Sequence, residues 1–266
     1  MIHKILNDKP TKLFLGFACF FVANALIAEA IGMKLFSMEA LLGMQPVNFT
    51  LFHQSGLAFT LTCGVLLWPL EFVITDIINE YYGPKAVRRI SITAVILIAY
   101  AFLMYFIAIA LPPAKVWLSS SHEQGVENIQ TSFKAIFGQN MRIIVGSIVA
   151  FLFSQAVDVF VFQKIKKVTG DKHLWLRATG STLVSQLVDS YIVLFIAFSG
   201  LFSWQLILGI GIMNYLYKFT MAIILTPVIY GVEKRIEKYV GHDVAKKMKS
   251  AAMGDNTIFE NIPTAG

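Results

Sequence analysis

Charge is scarce in this chain: charged residues make up 14% of its 266 residues while hydrophobic ones make up 56%. That charged share is about half of what a soluble globular domain carries. A soluble enzyme and a disordered chain are both excluded on that ground. Cysteine is scarce too. Cys19 and Cys63 both lie within apolar runs, where they read as small buried hydrophobes, and a disulfide scaffold is excluded. No G-x-x-x-x-G-K-[ST] is present, so the chain encodes no ATP-driven engine. His3, His53, His122, His173 and His242 stand isolated, without metal-ligand spacing, and no metal or other cofactor is implied. No serine has a base partner, and no G-x-G-D-like motif accompanies the aspartates.

Long apolar runs are what the sequence does have, and its mean hydropathy is +0.67. Six stretches stand out: Leu13–Ile31, Gly56–Ile74, Ile90–Leu111, Ile143–Phe162, Thr179–Phe198 and Trp204–Ile229. Each is long enough to cross a hydrocarbon core of about 30 Å as a helix, which satisfies its own backbone hydrogen bonds. The runs are continuous and too long for transmembrane β-strands. The expected architecture is therefore an all-α, polytopic six-helix bundle in the lipid bilayer. Of the 22 Lys and Arg residues, 17 fall on one alternating side, at the N-terminus, in the second and fourth connections and in the C-terminal segment. The other side carries Lys34, Lys115, Lys134 and Arg142, and Lys218 lies inside a span. The positive-inside rule then places both termini in the cytoplasm. The same distribution explains the net charge of +6 without nucleic acid as a partner.

Lys-rich residues 1–12, an apolar run and Ala28-Glu29-Ala30 imitate a cleavable signal peptide. Removing that run would invert the charge pattern, so it reads as the first membrane helix. Residues 1–230 form the expected transport domain, and residues 231–266 a cytoplasmic amphipathic helix with a frayed tail from Asp255. The longest connection, Pro112 to Met141, places Val126, Ile129, Phe133, Ile136 and Phe137 on one helical face. A short interfacial helix is expected there.

Polar residues within the spans carry the functional signal, because charged groups in hydrocarbon usually line an interior or a wet cavity. They are Asn24, Glu29, Glu71, Asp76, Gln155, Asp158, Gln186, Asp189, Asn214 and Lys218. Ser154-Gln155-Ala156-Val157-Asp158 and Ser185-Gln186-Leu187-Val188-Asp189 repeat an S-Q-x-V-D in successive helices, with Ser and Asp at i and i+4. Counting about 1.5 Å per residue from the basic ends brings Asn24, Asp189 and Asn214 near the midplane. The lone cation, Lys218, is expected to pair with Asp158 or Asp189. Trp68-Pro69 is expected to interrupt the second span, and Glu71, Asp76, Asn79 and Glu80 follow it. Broken helices of this kind border cavities at transport sites, which makes these four a candidate gate or coupling group.

The run Ile74-Thr75-Asp76-Ile77-Ile78-Asn79-Glu80-Tyr81-Tyr82-Gly83, followed by Lys85 and Arg88-Arg89, resembles the hallmark segment of the queuosine precursor transporter family, earlier described as vitamin uptake transporters. Gln155-x-x-Asp158-x-x-Val161-Phe162, Ser181-Thr182, Asp189, Tyr215-x-x-Lys218 and Asn24 resemble further positions of that family. The resemblance spans about Asn24 to Pro227. It implies a bacterial inner-membrane importer, not an enzyme, that takes up 7-deazaguanines such as 7-cyano-7-deazaguanine for tRNA modification. A deazaguanine presents a ring N–H beside an exocyclic amine, two donors that suit one carboxylate. Asp189 or Asp158 is the expected reader of that edge, with Gln155, Gln186, Asn24 and Asn214 completing a polar frame. Lys218 would hold the carboxylates charged. The expected mechanism is secondary transport or facilitated diffusion. The alternatives are a substrate-binding membrane subunit served by a separate ATP-hydrolysing complex and, less favoured, an intramembrane enzyme using Asp158 and Asp189. A homodimer is compatible with a bundle this small, although no small-x-x-x-small face demands one.

Overall fold

The structure, a computed structural model, describes residues 8–32, 34–121, 123, 125–138, 141–170 and 173–253. The tail from Asp255 and the basic residues Lys4 and Lys172 lie outside these. Five helices among the described residues are long and apolar enough to cross a membrane. Helix α1, Lys9–Ile31, starts on Asp8, whose carboxylate accepts the Thr11 backbone N–H at 3.0 Å, with Pro10 in the first turn. Leu15, Phe20 and Ile27 of this helix are exposed, as a lipid-facing stripe requires.

The second apolar stretch, Gly56–Ile74, is not one helix. Four short strands and a short helix surround its first half: β1 (Leu35–Ser37), α2 (Met38–Leu41), β2 (Phe49–Leu51), β3 (Gln54–Leu57) and β4 (Thr60–Thr62). Strand β1 pairs antiparallel with β4, and β2 with β3. A 3-10 turn, Cys63–Leu66, then leads into α3, Trp68–Tyr82. Hydropathy alone cannot separate these states, but Thr60 and Thr62 are β-branched and favour extended backbone. Pro69 does not interrupt a helix. It sits in the first turn of α3, where its missing N–H costs nothing.

Helix α4 is Pro84–Ala110, α5 Lys115–Leu118 and α6 Ile129–Phe137. Helix α6 carries the expected apolar face and folds back on the end of α4. Gln130 donates to the Ile109 carbonyl at 3.1 Å, and the Phe137 and Tyr105 rings lie 4.9 Å apart. Helix α7 is Met141–Thr169, α8 Leu174–Phe198 and α9 Trp204–Val240. Helix α9 continues through Pro227, so Val232, Ile236, Tyr239 and Val240 lie on its extension rather than on a helix of their own. A separate helix, α10, follows as His242–Met253.

Helix α3 is the axis of the bundle. It packs against α1, α4, α7, α8, α9 and α10, and every residue from Glu71 to Tyr82 is buried. At its C-terminal end Gly83 turns the chain into α4 with φ of +79°, and its Cα faces Ala252 of α10. Ala245 and Met248 of α10 are buried in one cluster with Tyr81, Tyr82, Ile236 and Val240, and Ala252 is buried as well. Lys249 stands over the Tyr81 ring at 5.2 Å and donates to Glu237 at 2.8 Å and to Glu233 of α9. Burial would lower the Lys249 ammonium, but these two carboxylates outweigh it and hold its pKa above the ordinary range. Helix α10 thereby ties the end of α3 to α9.

A buried ionic cluster fixes the same end of α3 to α7 and α8. Glu80 accepts Arg177 Nη2 at 2.8 Å and Nε at 3.0 Å, a bidentate pair, and Lys166 Nζ lies 3.1 Å from its Oε2. Lys166 also donates to the Glu80 carbonyl at 2.9 Å, and all three side chains are fully buried. From sequence, Lys166 and Arg177 count among the topological charges and Glu80 among the gate or coupling candidates. In the structure the three form one locked trio. Removing this anion would take their shared carboxylate from two buried cations at a cost of about 3–5 kcal/mol. Glu80→Gln is therefore expected to lower the detergent-solubilised protein's thermal unfolding midpoint by on the order of 10 °C, with Glu80→Asp milder. Scanning fluorimetry checks this, and an unchanged midpoint would refute it. Gly83→Ala is expected to cost about 1–2 kcal/mol for the positive φ alone, read in the same assay as a smaller shift.

Candidate functional site: a polar column beside a central cavity

Polar side chains pair off along α3 from one end to the other. Nearest the hairpins, Asn24 of α1 donates to Glu71 at 2.9 Å and to the Leu67 carbonyl at 3.1 Å. Ser147 of α7 donates to Glu29 close by. Further along, the Gln155 amide donates to the Thr75 hydroxyl at 3.2 Å. Asp76 follows, within electrostatic reach of Asp158, Glu80 and Arg177. Gln163 then donates to Asn79 at 2.7 Å, and the Glu80 trio closes the column. The i, i+4 spacing of Thr75 and Asn79, against Gln155 and Gln163 two turns apart, makes one face of α7 the partner of one face of α3.

The repeated S-Q-x-V-D segments meet each other. Ser185 of the second copy donates to Asp158 of the first at 3.1 Å, and Ser154 of the first reaches Asp189 of the second at 3.4 Å. Successive helices joined by a short turn run antiparallel, which is why the exchange is reciprocal. The two copies then diverge. Asp189 is paired with Lys218 of α9, whereas Asp158 Oδ2 is buried with no hydrogen-bond partner among the described residues. Between the two pairings open in the sequence, the structure takes Lys218–Asp189. Close approach of α8 and α9 here depends on Gly211, where a side chain would strike the Tyr191 ring.

A narrow cavity of about 30 Å³ lies between α3, α8 and α9. Helix α3 supplies Trp68, Phe72 and Asp76, spaced i, i+4, i+8 on one face. Helix α8 supplies Ala178, Thr179, Thr182 and Gln186, and α9 supplies Lys218, Ala222, Leu225 and Ile229. That is room for a water or two, well below the about 300–1,000 Å³ of a small-molecule site, so a ligand requires these helices to part. Its wall on α3 is aromatic, and a few polar groups converge on it.

Of the residues singled out from sequence, Gln186, Lys218 and Asp76 reach this cavity. Asp158, Asp189, Gln155 and Asn24 do not line it and are engaged with Ser185, Lys218, Thr75 and Glu71. Glu71 and Asn79 belong to the column beside it, and Asn214 is half-buried one turn from Lys218 on α9. Phe72 and Thr179 escaped the sequence reading, which had Trp68 only beside a helix break and Thr182 only as a family-like position. Their signal was available in principle: Thr179 and Thr182 share a face of α8 with Gln186, at i, i+3 and i+7. Arg177 gave no such signal, since a basic residue near a span end is usually solvated.

Residues 62–232 match the sequence profile of the family described as "Putative vitamin uptake transporter". A Bacillus subtilis (strain 168) protein named "Probable queuosine precursor transporter" is 36% identical over 179 residues, covering 66% of this chain and 73% of that protein. The Escherichia coli (strain K12) "Queuosine precursor transporter" is 28% identical over 184 residues, covering 67% of this chain and 75% of that protein. A Haemophilus influenzae relative, also named "Probable queuosine precursor transporter", is 28% identical over 178 residues, covering 66% and 69%. No solved structure matches the chain. The matched segment contains α3 and α8 whole, α9 as far as residue 232 and with them the entire cavity lining, and on these matches the chain belongs to the vitamin uptake transporter family that includes the queuosine precursor transporters.

Proposed function

We propose that this chain imports queuosine precursors of the 7-deazaguanine class across a bacterial inner membrane, through the cavity between α3, α8 and α9. The observation that carries this reading is that a cavity with aromatic walls and polar groups lies within the segment shared with relatives named queuosine precursor transporters. Transport proceeds by alternating access as secondary transport or facilitated diffusion, since the chain carries no nucleotide-binding loop.

Helix α3 serves as a sixth crossing in this reading. Its 15 residues rise about 22 Å, and the preceding four-residue 3-10 turn adds about 8 Å, together the thickness of a hydrocarbon core. Enclosed by protein, it escapes the usual demand for an apolar surface. Six crossings put both termini on one side, the cytoplasmic one by the distribution of Lys and Arg. The hairpins of residues 35–62 then face outward and α10 lies inside the cell. The transporting unit is the chain alone or as a homodimer.

Ligand contact falls to Asp76, Gln186 and Lys218. Asp158, Asp189, Gln155, Asn24 and Asn214 shape the frame behind them, and Glu71, Asn79 and Glu80 hold α3 to its neighbours. Protein purified into liposomes is expected to take up labelled 7-cyano-7-deazaguanine without ATP, and to slow by about tenfold or more in Lys218→Met, which strips Asp189 of its counter-charge. Collapse of uptake by an uncoupler marks proton coupling, and indifference to it marks facilitated diffusion. Uptake no faster than in protein-free liposomes would overturn the reading.

A further inference from the structure

We propose that Asp76 and Gln186 together read the hydrogen-bonding edge of the transported ring, Asp76 its adjacent N–H donors and Gln186 its carbonyl oxygen. The assignment rests on the functional reading above, which supplies a flat ring carrying those groups side by side.

Two observations single out this pair. Buried polar atoms are normally hydrogen-bonded, and each exception calls for a reason. Asp76 Oδ1 and Gln186 Nε2 are both buried without a hydrogen-bond partner among the described residues, and their side chains are 2% and 3% exposed. Glu71 Oε1, Asn79 Nδ2 and Asp158 Oδ2 are also unpartnered, but none of those residues lines the cavity. Asp76 and Gln186 do, from α3 and α8.

The two atoms are complementary in kind. Oδ1 of a carboxyl group accepts, and Nε2 of an amide donates. A ligand that satisfies both must present a donor to α3 and an acceptor to α8. Phe72 lies one turn from Asp76 on the same face of α3, about 6 Å along the axis. A ring resting against Phe72 and Trp68 therefore directs its edge toward Asp76. An adenine-type edge carries a donor where the carbonyl should be and would leave Gln186 facing another donor. A site of this construction rejects a ligand that lacks a matching group, because the protein's own buried atom is then left unpaired.

The test is calorimetric titration of the purified, monodisperse protein with three probes. These are 7-cyano-7-deazaguanine, its analogue without the 2-amino group and its 6-thio analogue, which keeps the ring N–H but accepts a hydrogen bond at position 6 only weakly. Wild type is expected to bind each analogue about tenfold or more weakly than the parent. Asp76→Asn is expected to lose the preference for the 2-amino group while keeping that for the carbonyl, and Gln186→Leu the reverse. Asp158→Asn and Asp189→Asn are expected to keep both preferences, whatever they do to overall affinity. If Asp76→Asn fails to fold, Gln186→Leu against the 6-thio analogue carries the test. Retention of both preferences in Gln186→Leu or in folded Asp76→Asn would overturn the assignment. Wild type that binds none of the three probes would overturn the functional reading itself, an outcome distinct from binding whose preferences ignore these two residues.

Discussion

Helix α3 carries Glu71, Asp76, Asn79 and Glu80 within three turns, and none of these side chains can face hydrocarbon. That constraint organises the bundle. A helix so polar must be enclosed, so five long apolar helices and α10 close around it and turn their own polar residues inward. Asn24, Gln155, Gln163, Lys166 and Arg177 meet it from three different helices, each supplying a partner at the matching height. The apolar outer faces of those helices, with Phe20, Ile96 and Phe153 exposed, are what the lipid sees.

Enclosure also decides how strength is distributed along α3. At its basic end the Glu80 trio is saturated with charge-assisted contacts and sealed from water. Breaking it would leave buried cations, so this end is the rigid anchor. Toward the middle the contacts thin out. Asp76 lacks a hydrogen bond at one oxygen, Asp158 likewise, and the cavity lies here. Of these two, Asp76 lines the cavity and Asp158 does not. The anchoring Glu80 and the unmatched Asp76 are thus different residues of the same fifteen-residue helix.

Much of this was legible in the sequence, and the failures have physical causes. Five of the six apolar runs fold as membrane-length helices because continuous hydropathy over twenty residues has few alternatives. The second run failed because Gly56, Thr60, Thr62 and Gly64 are no less hydropathic on average when extended or turned than when helical. Lys218 was foreseen as an ion-pair partner because it is the lone cation within a span; choosing Asp189 over Asp158 required the helical register of α8 against α9. Glu80 and Arg177 lie 97 residues apart, and nothing local to either marks the other. Asp76 was noticed as a polar group in the wrong place. Only the packing of α3 against α8 shows that it shares a cavity with Gln186.

The repeated S-Q-x-V-D segments show how a symmetric sequence signal yields an asymmetric site. Antiparallel α7 and α8 let each serine reach the aspartate of the other copy, so the local exchange is two-fold. What surrounds it is not. Helix α3 lies against the first copy and absorbs Gln155 through Thr75, and α9 brings Lys218 to Asp189 of the second. Gln186 is the one glutamine of the repeat left without a partner for its amide nitrogen, and it is the one that faces the cavity. Had Gln186 met a threonine as Gln155 does, the cavity wall on α8 would offer Thr179 and Thr182 hydroxyls but no amide. The repeat thus builds the frame twice, and the position of α3 determines which copy is spent on packing and which remains for recognition.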